Sequence, residues 1–520
     1  MNRLGPVAYR CIQCNTDLAP RDNEPLVCAV CQASYPALAG IRLFLSNPDQ
    51  ALRSLAAGLA HEQQESTAGR ARLAALTGAS PSPAAVALAA GGYDRQLANL
   101  QVIERAILPV QEYLAKRPPP RSLFADFNLA GGGLASLGML QYFWRDWSAT
   151  DEARFLTRLF SGALQQLEIR PESLVVVGCG ACGLVRDLAE SYPRAPRVPR
   201  IIGLDLAVDS LLLANALLDG AELELHFTFP RPQIPLSQKA VRLQGSAWRP
   251  AGIELVAANV NRLPFASASV PCVLTPYLLD IVPSPRTAVA EIRRVLAPGG
   301  VWINFSNPFN FYRLEGGGTP GAGSPDALDH LDLPAFLARS GFSLRDQAMH
   351  RFTLLDQSAL SEWAPAMTQT PVFFVAERIS LPDRQRPDPF GEHFAGRGDA
   401  IWRRTPRIST YLAVVEEKIF TGRGVEEVKR VAAYSFGNSR PLARESALVA
   451  EWLLRQLDGA RTLREIFDRS RAEFGELVQA DEFLRLFRDL QDAELVELEA
   501  TDEGGSPAAP GERAGGLPAP

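Results

Sequence analysis

The sequence predicts an α/β fold built around a parallel sheet, and three observations carry that prediction. Apolar runs at 174–178, 201–205, 253–258, 272–277, 301–306 and 372–376 alternate with helical segments across residues 131–380. That is the rhythm of strand–helix–strand units. Leu174-Val175-Val176-Val177 breaks into Gly178-Cys179-Gly180-Ala181-Cys182-Gly183, a strand turning sharply into a helix. Ile201-Ile202-Gly203-Leu204 then ends on Asp205, a second buried strand closing on a carboxylate.

The chain divides in order around this core. Residues 1–45 hold Cys11-x-x-Cys14 and Cys28-x-x-Cys31. Four thiolates in two knuckles suit a tetrahedral Zn²⁺ with Zn–S of about 2.3 Å and no open position, a metal that is structural or substrate-gripping rather than catalytic. So short a segment buries too little surface to fold unaided, so metal supplies its stability. Residues 46–130, rich in Ala, Leu and Arg, read as a helical connector broken at Ser80-Pro81-Ser82-Pro83 and Pro118-Pro119-Pro120. The α/β domain follows at 131–380. Residues 381–407, rich in Pro, Arg and Asp, read as a linker, 408–500 as a second compact unit, and 501–520 as a disordered tail of Gly, Pro and Ala.

Composition narrows the partners. A chain of 520 residues exceeds one compact domain. With 47% hydrophobic and 21% charged residues it has ample core material. A net charge of -5 with no long basic run argues against DNA. No apolar run reaches the roughly 20 residues that span a bilayer, and the first residues lack a secretory layout. Cysteines in tight pairs suit thiols that hold metal in a reducing cytoplasm.

The glycine loop with its acidic partner suits the ribose and adenine side of an adenosine-containing cofactor. Gly178, Gly180 and Gly183 alone leave a nicotinamide dehydrogenase open. Asn259 follows the run 253–258, Leu263-Pro264-Phe265 comes next, and Val295-Leu296-Ala297-Pro298-Gly299-Gly300 turns into Val301-Trp302-Ile303-Asn304. This layout resembles class I S-adenosylmethionine methyltransferases. The resemblance implies a Rossmann-like seven-stranded sheet, glycines that let backbone approach the cofactor, and Asp205 accepting both ribose hydroxyls. Asn259 stands where an acidic residue commonly meets adenine, with Val260 beside it. Tyr35-Pro36 and Gly40-Ile41 after the cysteines resemble the zinc ribbons attached to some RNA-modifying methyltransferases.

Further residues resemble the carnosine N-methyltransferase-like family over 140–380. They are Trp144-Arg145-Asp146-Trp147-Ser148, Asn215 ten residues after Asp205, an insertion at 221–250 with Phe229-Pro230 and Pro235, the stretch Cys272 to Asp280, and Gly300-Val301-Trp302-Ile303-Asn304. Departures fall on the substrate side. Tyr312 stands where the family has an imidazole-contacting His, Met367 and Gln369 stand for paired tyrosines, and Tyr277 replaces a Phe.

Methyl transfer from a sulfonium is an in-line displacement whose rate comes from holding the nucleophile about 3–3.5 Å from the methyl. Asp280 ends the fourth strand, where open α/β sheets place ligands. It is expected to orient the acceptor nitrogen or take its proton, with Tyr277 and Tyr312 lining the site. Arg145 is a candidate clamp for the cofactor carboxylate. His330 and His350 read as surface residues, and Cys179 and Cys182 as small loop residues rather than nucleophiles.

In the last unit, Leu448, Val449, Trp452, Leu453 and Leu457 form one helix face, Thr462 with Glu465 a capping box, and Phe483, Leu486, Phe487 and Leu490 a third helix before a strand. The pattern resembles winged-helix domains, PqqD-like peptide binders among them. Acidic Asp481, Glu482, Asp489, Asp492 and Glu494 favour a protein or peptide partner over DNA. The expected function is a cytoplasmic S-adenosylmethionine-dependent methyltransferase acting on nitrogen of a small amine, imidazole or peptide. An RNA-base methyltransferase guided by the ribbon, or a catalytically silent regulatory protein of the same fold, are the alternatives.

Overall fold

A computed structural model describes residues 7–19, 25–76, 82–118, 135–167, 172–191, 199–229, 237–247, 249–250, 252–282, 285–307, 332–354, 367–379, 388–408, 412–421, 424–433, 440–441, 452–492 and 496–500. The central sheet has nine strands: β1 Ala37–Leu38, β2 Ile41–Phe44, β3 Ser173–Val177, β4 Arg200–Asp205, β5 Ile253–Ala258, β6 Val270–Pro276, β7 Leu296–Ser306, β8 Phe342–Met349 and β9 Val372–Arg378. Their order is β8-β9-β7-β6-β3-β4-β5-β2-β1. From β2 to β7 every pairing is parallel. β9 runs antiparallel between β7 and β8, and β1 antiparallel to β2.

Two expectations change here. The sheet is mixed rather than wholly parallel, because β9 enters between β7 and β8 in the opposite direction to both. It also has nine strands rather than seven, because the cysteine segment adds two. Phe44 pairs with Ala258 and Arg42 with Val256, which covers an edge that would otherwise present unpaired backbone groups. Strand β8 was hidden in the sequence by its half-polar pattern Phe-Ser-Leu-Arg-Asp-Gln-Ala-Met.

Strands buried on both faces read as continuous apolar runs, and alternate residues feed two cores. One face, with Leu174, Val176, Ile201 and Leu255, is covered by α1 Pro48–Leu76, α2 Pro83–Ala106 and α3 Leu108–Ala115, through residues such as Leu52 and Ile103. The predicted connector is therefore a layer of the fold. α4 Ala135–Trp147, α5 Asp151–Gln166, α6 Gly183–Glu190 and α7 Val208–Leu218 complete that side. The other face, with Val175, Ile202 and Val256, is covered by α8 Pro285–Val295, by α9 Leu333–Arg339 and by the cysteine segment through Tyr9, Ile12 and Leu26. The segment is thus part of the main core, not a detached module.

Within the insertion, Glu222–Phe229 and Ser237–Gln244 pair as a hairpin, held to α2 where Asn99 exchanges two 2.8 Å hydrogen bonds with the His226 backbone.

The C-terminal unit has its own core. Its elements include α11 Leu463–Phe474, with the expected Thr462–Glu465 capping box, and α12 Ala480–Asp492. The expected linker is largely folded into this unit. Pro389–Phe394 forms α10, the strand Arg404–Ile408 pairs with Val496–Ala500, and Phe390, Ile401 and Trp402 are buried. The polar composition hid these three anchors. Leu412–Thr421 and Gly424–Ala433 form a further antiparallel pair. Leu448, Val449, Pro230, Pro235, His330, Tyr312 and the tail from 501 lie outside the described residues. No described helix is long and apolar enough to cross a membrane.

Candidate functional site

The carboxyl ends of β3, β4, β5, β6 and β7 meet at one edge, where open sheets bind ligands. The bend after β3 takes backbone angles that only Gly adopts freely, with Gly178 at φ 74° and Gly180 at φ 51°. A Cβ on Gly178 would lie 3.1 Å from Leu278. The bend is organised by Asp205, whose Oδ2 accepts from Gly180 N (2.8 Å) and whose Oδ1 accepts from Ala207 N (3.0 Å). Burial pushes the Asp205 carboxyl up, while the N–H groups of Ala207 and Gly180 draw it back. A carboxylate oxygen has further lone pairs, so both oxygens can still accept hydroxyls.

Gly183 also serves the packing around the bend. It opens α6, and a Cβ there would stand 2.4 Å from the Asp146 Cβ. Its N–H donates to Asp146 Oδ2 at 3.2 Å. Trp147 Nε1 donates to Ala181 O at 2.9 Å. Helix α4 therefore holds the glycine bend, and Gly183 is the close-approach point of that packing.

Arg145, the candidate clamp, also has partners inside the protein. It is buried, and it donates through Nε to Asp146 Oδ1 (2.6 Å) and through Nη1 to Glu152 Oε1 (3.1 Å). Glu152 also accepts from Tyr277 Oη at 3.2 Å. Two guanidinium donors are thus committed inside the protein, and the residue acts first as the hub of an internal cluster. Asn259 follows β5 and caps the turn Val260–Arg262, its Oδ1 accepting from Asn261 N at 2.9 Å. Val260 is buried in that turn.

On the other side of the edge, Tyr277 follows β6 in the left-handed region, φ 49°. A bulky residue held there is strained by about 1–3 kcal/mol, which surrounding structure must offset. Its N–H donates to Phe305 O at 2.6 Å and its ring meets Phe305 edge-on at 5.3 Å. Asp280 is 3% exposed; its Oδ2 accepts from Asn307 Nδ2 at 2.8 Å. The Oδ1 atoms of Asp280 and of Asn307 are buried with no hydrogen-bond partner among the described residues. Burial raises the Asp280 carboxyl to about 6, against the lowering effect of Asn307. Buried orphan acceptors are uncommon, and two beside one another suit a ligand that donates N–H groups.

The structure therefore gathers Arg145, Tyr277 and Asp280 with the glycine loop, Asp205 and Asn259 at one sheet edge. Residues that sequence reasoning missed are Asp146, Glu152, Asn307 and His350. His350, read as a surface residue, sits among Phe155 (5.3 Å), Phe305 (6.0 Å) and Phe373 (6.2 Å), with Nε2 buried and unpartnered among the described residues. Asn307 and His350 follow β7 and β8, two strands that share one direction, so the rule that picked out Asp280 applies to both. Asp146 lay inside a motif already noticed. Glu152 carried no signal of its own.

At the N-terminus, the sulfurs of Cys11, Cys14, Cys28 and Cys31 lie within 4.8 Å of one another. Ligands about 2.3 Å from a tetrahedral centre stand roughly 3.8 Å apart, so the set fits a four-thiolate metal.

Residues 175–304 match the family model described as a methyltransferase domain. Two curated relatives, both uncharacterized chloroplastic methyltransferases of Arabidopsis thaliana, are 49% identical over 61 residues and 51% over 51. These matches cover 11% and 10% of this chain, and only 17% and 14% of the relatives' length. Among solved structures, a SAM-dependent methyltransferase from Methanosarcina mazei aligns at 14% identity over 40% of this chain and 93% of its own, TM-score 0.27. A 16S rRNA (adenine(1408)-N(1))-methyltransferase from Catenulisporales acidiphilia aligns at 15% over 41% and 87%, TM-score 0.26.

Proposed function

The chain carries a methyltransferase domain of the α/β class, and we propose that it is a working S-adenosylmethionine-dependent N-methyltransferase. The observation that carries this reading is the carboxylate of Asp205 drawn into the glycine bend by Gly180 N, on the same sheet edge as the buried, half-partnered Asp280. The residues fit the cofactor. Gly178 and Gly180 leave the backbone bare at the bend, Asp205 keeps acceptor capacity for ribose hydroxyls, and Asn259 with Val260 stands on the adenine side. When bound, S-adenosylmethionine supplies an electrophilic methyl group on sulfonium.

The chain's own residues do the rest. Asp280, fixed by Asn307, accepts an N–H of the acceptor and orients its lone pair. Near neutral pH its carboxylate can also take the proton released. Tyr277 supplies an apolar wall, its hydroxyl already given to Glu152. Tyr312, which the family resemblance puts on the substrate side, is proposed as a further residue for the acceptor. The acceptor is a small amine, an imidazole or a peptide-borne nitrogen, in keeping with the family resemblance and the unpartnered acceptors. The four cysteines hold structural zinc in a ribbon-like segment. The C-terminal unit, winged-helix-like in pattern, receives a protein or peptide partner.

Two measurements test this. Calorimetry should detect S-adenosylhomocysteine binding; none at millimolar concentration would end the enzymatic reading and favour a silent regulatory protein. Cell extract incubated with deuteromethyl-labelled cofactor should show label in low-mass or peptide fractions, whereas label in RNA would favour the base-modifying alternative. Metal analysis should return one zinc per chain, and Cys28→Ser should lose it and lower Tm.

A further inference from the structure

The turn Val260–Arg262 adjoins Asn259 on the cofactor edge, yet its charged residue faces the C-terminal unit. Arg262 donates to Asp492 as a fork, Nε to Oδ2 at 2.6 Å and Nη2 to Oδ1 at 2.8 Å. Nη1 reaches Asp388 Oδ2 at 3.4 Å. Asn261 Nδ2 donates to the carbonyl of Asp492 at 2.7 Å. One turn of the α/β domain is thus bolted to the last turn of α12 and the start of α10. Forked guanidinium–carboxylate pairs fix geometry as well as contribute energy, and here both side chains are largely buried.

The same carboxylate ties in the cysteine segment. Asp388 Oδ2 accepts from Asn15 Nδ2 at 2.6 Å and from Arg488 Nη2 at 2.9 Å. Arg488, fully buried, also donates to the carbonyl of Gln13 inside the first knuckle. Burial pushes the Asp388 carboxyl up, but the Arg488 and Arg262 guanidiniums outweigh it and hold it at about 2. Just downstream, Arg10 N donates to Pro264 O and Ala266 N to Ala8 O. The loop after β5 is therefore gripped by three parts of the chain far apart in sequence. Its own domain also holds it, with Arg294 donating to Leu263 O and Phe265 O and Glu291 accepting from Leu263 N.

We infer that Arg262 is a positioning residue for the adenine side of the cofactor pocket, acting through Asp492 of the C-terminal unit. The unit then serves cofactor affinity as well as any partner it receives. The inference rests on the cofactor reading above for Asn259 and Val260, and it makes a claim that reading does not. Removing one charge at the domain junction weakens cofactor binding without touching the cofactor or the reacting atoms.

The test uses the full chain and S-adenosylhomocysteine as the titrant, well below the melting transition. Arg262→Ala should raise Kd about tenfold and raise KM for S-adenosylmethionine in step, with kcat within twofold. Arg262→Lys, which keeps the charge but loses the fork, should fall between. Asp492→Asn leaves the central sheet unaltered and should reproduce the Arg262→Ala loss. The double variant should be no worse than either single one, as expected for two partners in one interaction. Wild-type binding with unchanged Kd in Arg262→Ala and Asp492→Asn overturns this inference alone, leaving Arg294 and Glu291 as sufficient holders of the loop. Absence of binding by the wild-type chain overturns both this inference and the reading beneath it.

Discussion

The two halves of the sheet edge are finished to different degrees. Around the glycine bend the loop is fixed by bonds inside the protein: Asp205 takes Gly180 N and Ala207 N, Asp146 takes Gly183 N, and Ala181 O takes Trp147 Nε1. Around Asp280 the polar groups are buried but incomplete, with Asp280 Oδ1, Asn307 Oδ1 and His350 Nε2 unpartnered among the described residues. A cofactor common to many reactions suits a pre-organised cradle. An acceptor is recognised by the hydrogen bonds a site withholds until it arrives, since leaving such groups unpaired penalises the wrong ligand.

Substitutions on the two halves should separate binding from turnover. The largest effect is expected at Asp280. Asp280→Ala should lower turnover about 10³-fold, the scale of a lost general base, while S-adenosylhomocysteine affinity by calorimetry stays within twofold. A matching loss of affinity would erase the distinction between the halves. Asp205→Ala should do the reverse, weakening S-adenosylhomocysteine about 100-fold, as expected for two hydrogen bonds to a charged acceptor at roughly 1.5 kcal/mol each.

The pH dependence sharpens the contrast next. Asp280, raised to about 6 by burial, must be ionised to accept a proton. Turnover should therefore fall about tenfold per pH unit below 6 and level off above it, and Asp280→Asn should remove that limb. The linkage to stability has the opposite sense. A carboxyl raised on folding binds its proton more tightly in the native state, so its contribution is greatest at low pH and is lost as pH rises through 6. Asp280→Asn should accordingly gain stability relative to wild type at pH 8 more than at pH 5, read as Tm at the two values. A profile with no limb near 6 would leave Asp280 a structural residue.

The smallest effect is expected at Gly183. Gly183→Ala places a methyl against Asp146 and should cost about 1–3 kcal/mol of stability from overpacking, measured by denaturant unfolding. Cofactor affinity should change less than for Asp205→Ala, because the added methyl meets Asp146 of helix α4 and removes no hydrogen-bonding group.

Several features were legible in sequence because each depends on local chain chemistry. The strand at 253–258, the glycine bend, the carboxylate of Asp205 and the Thr462–Glu465 cap announce themselves through apolar runs, turn residues and short spacings. The cysteine knuckles did so through spacing alone. Arg145 shows the limit. Its partners Asp146 and Glu152 make it an internal hub as well as a candidate clamp, and nothing in the local pattern says which carboxylate a guanidinium will meet.

What the sequence determined by itself was the α/β class, the bend and its acidic partner, and the four-thiolate set, since each is written in residues close along the chain. The tertiary structure alone decided that residues 37–44 extend the sheet, that Phe390 and Trp402 anchor the supposed linker, and that Asp388 and Asp492 grip the turn at Arg262. The physical reason is the same in each case. Edge pairing, core burial and charge pairing are settled by competition among segments far apart in sequence, and local propensity carries no record of which segment wins.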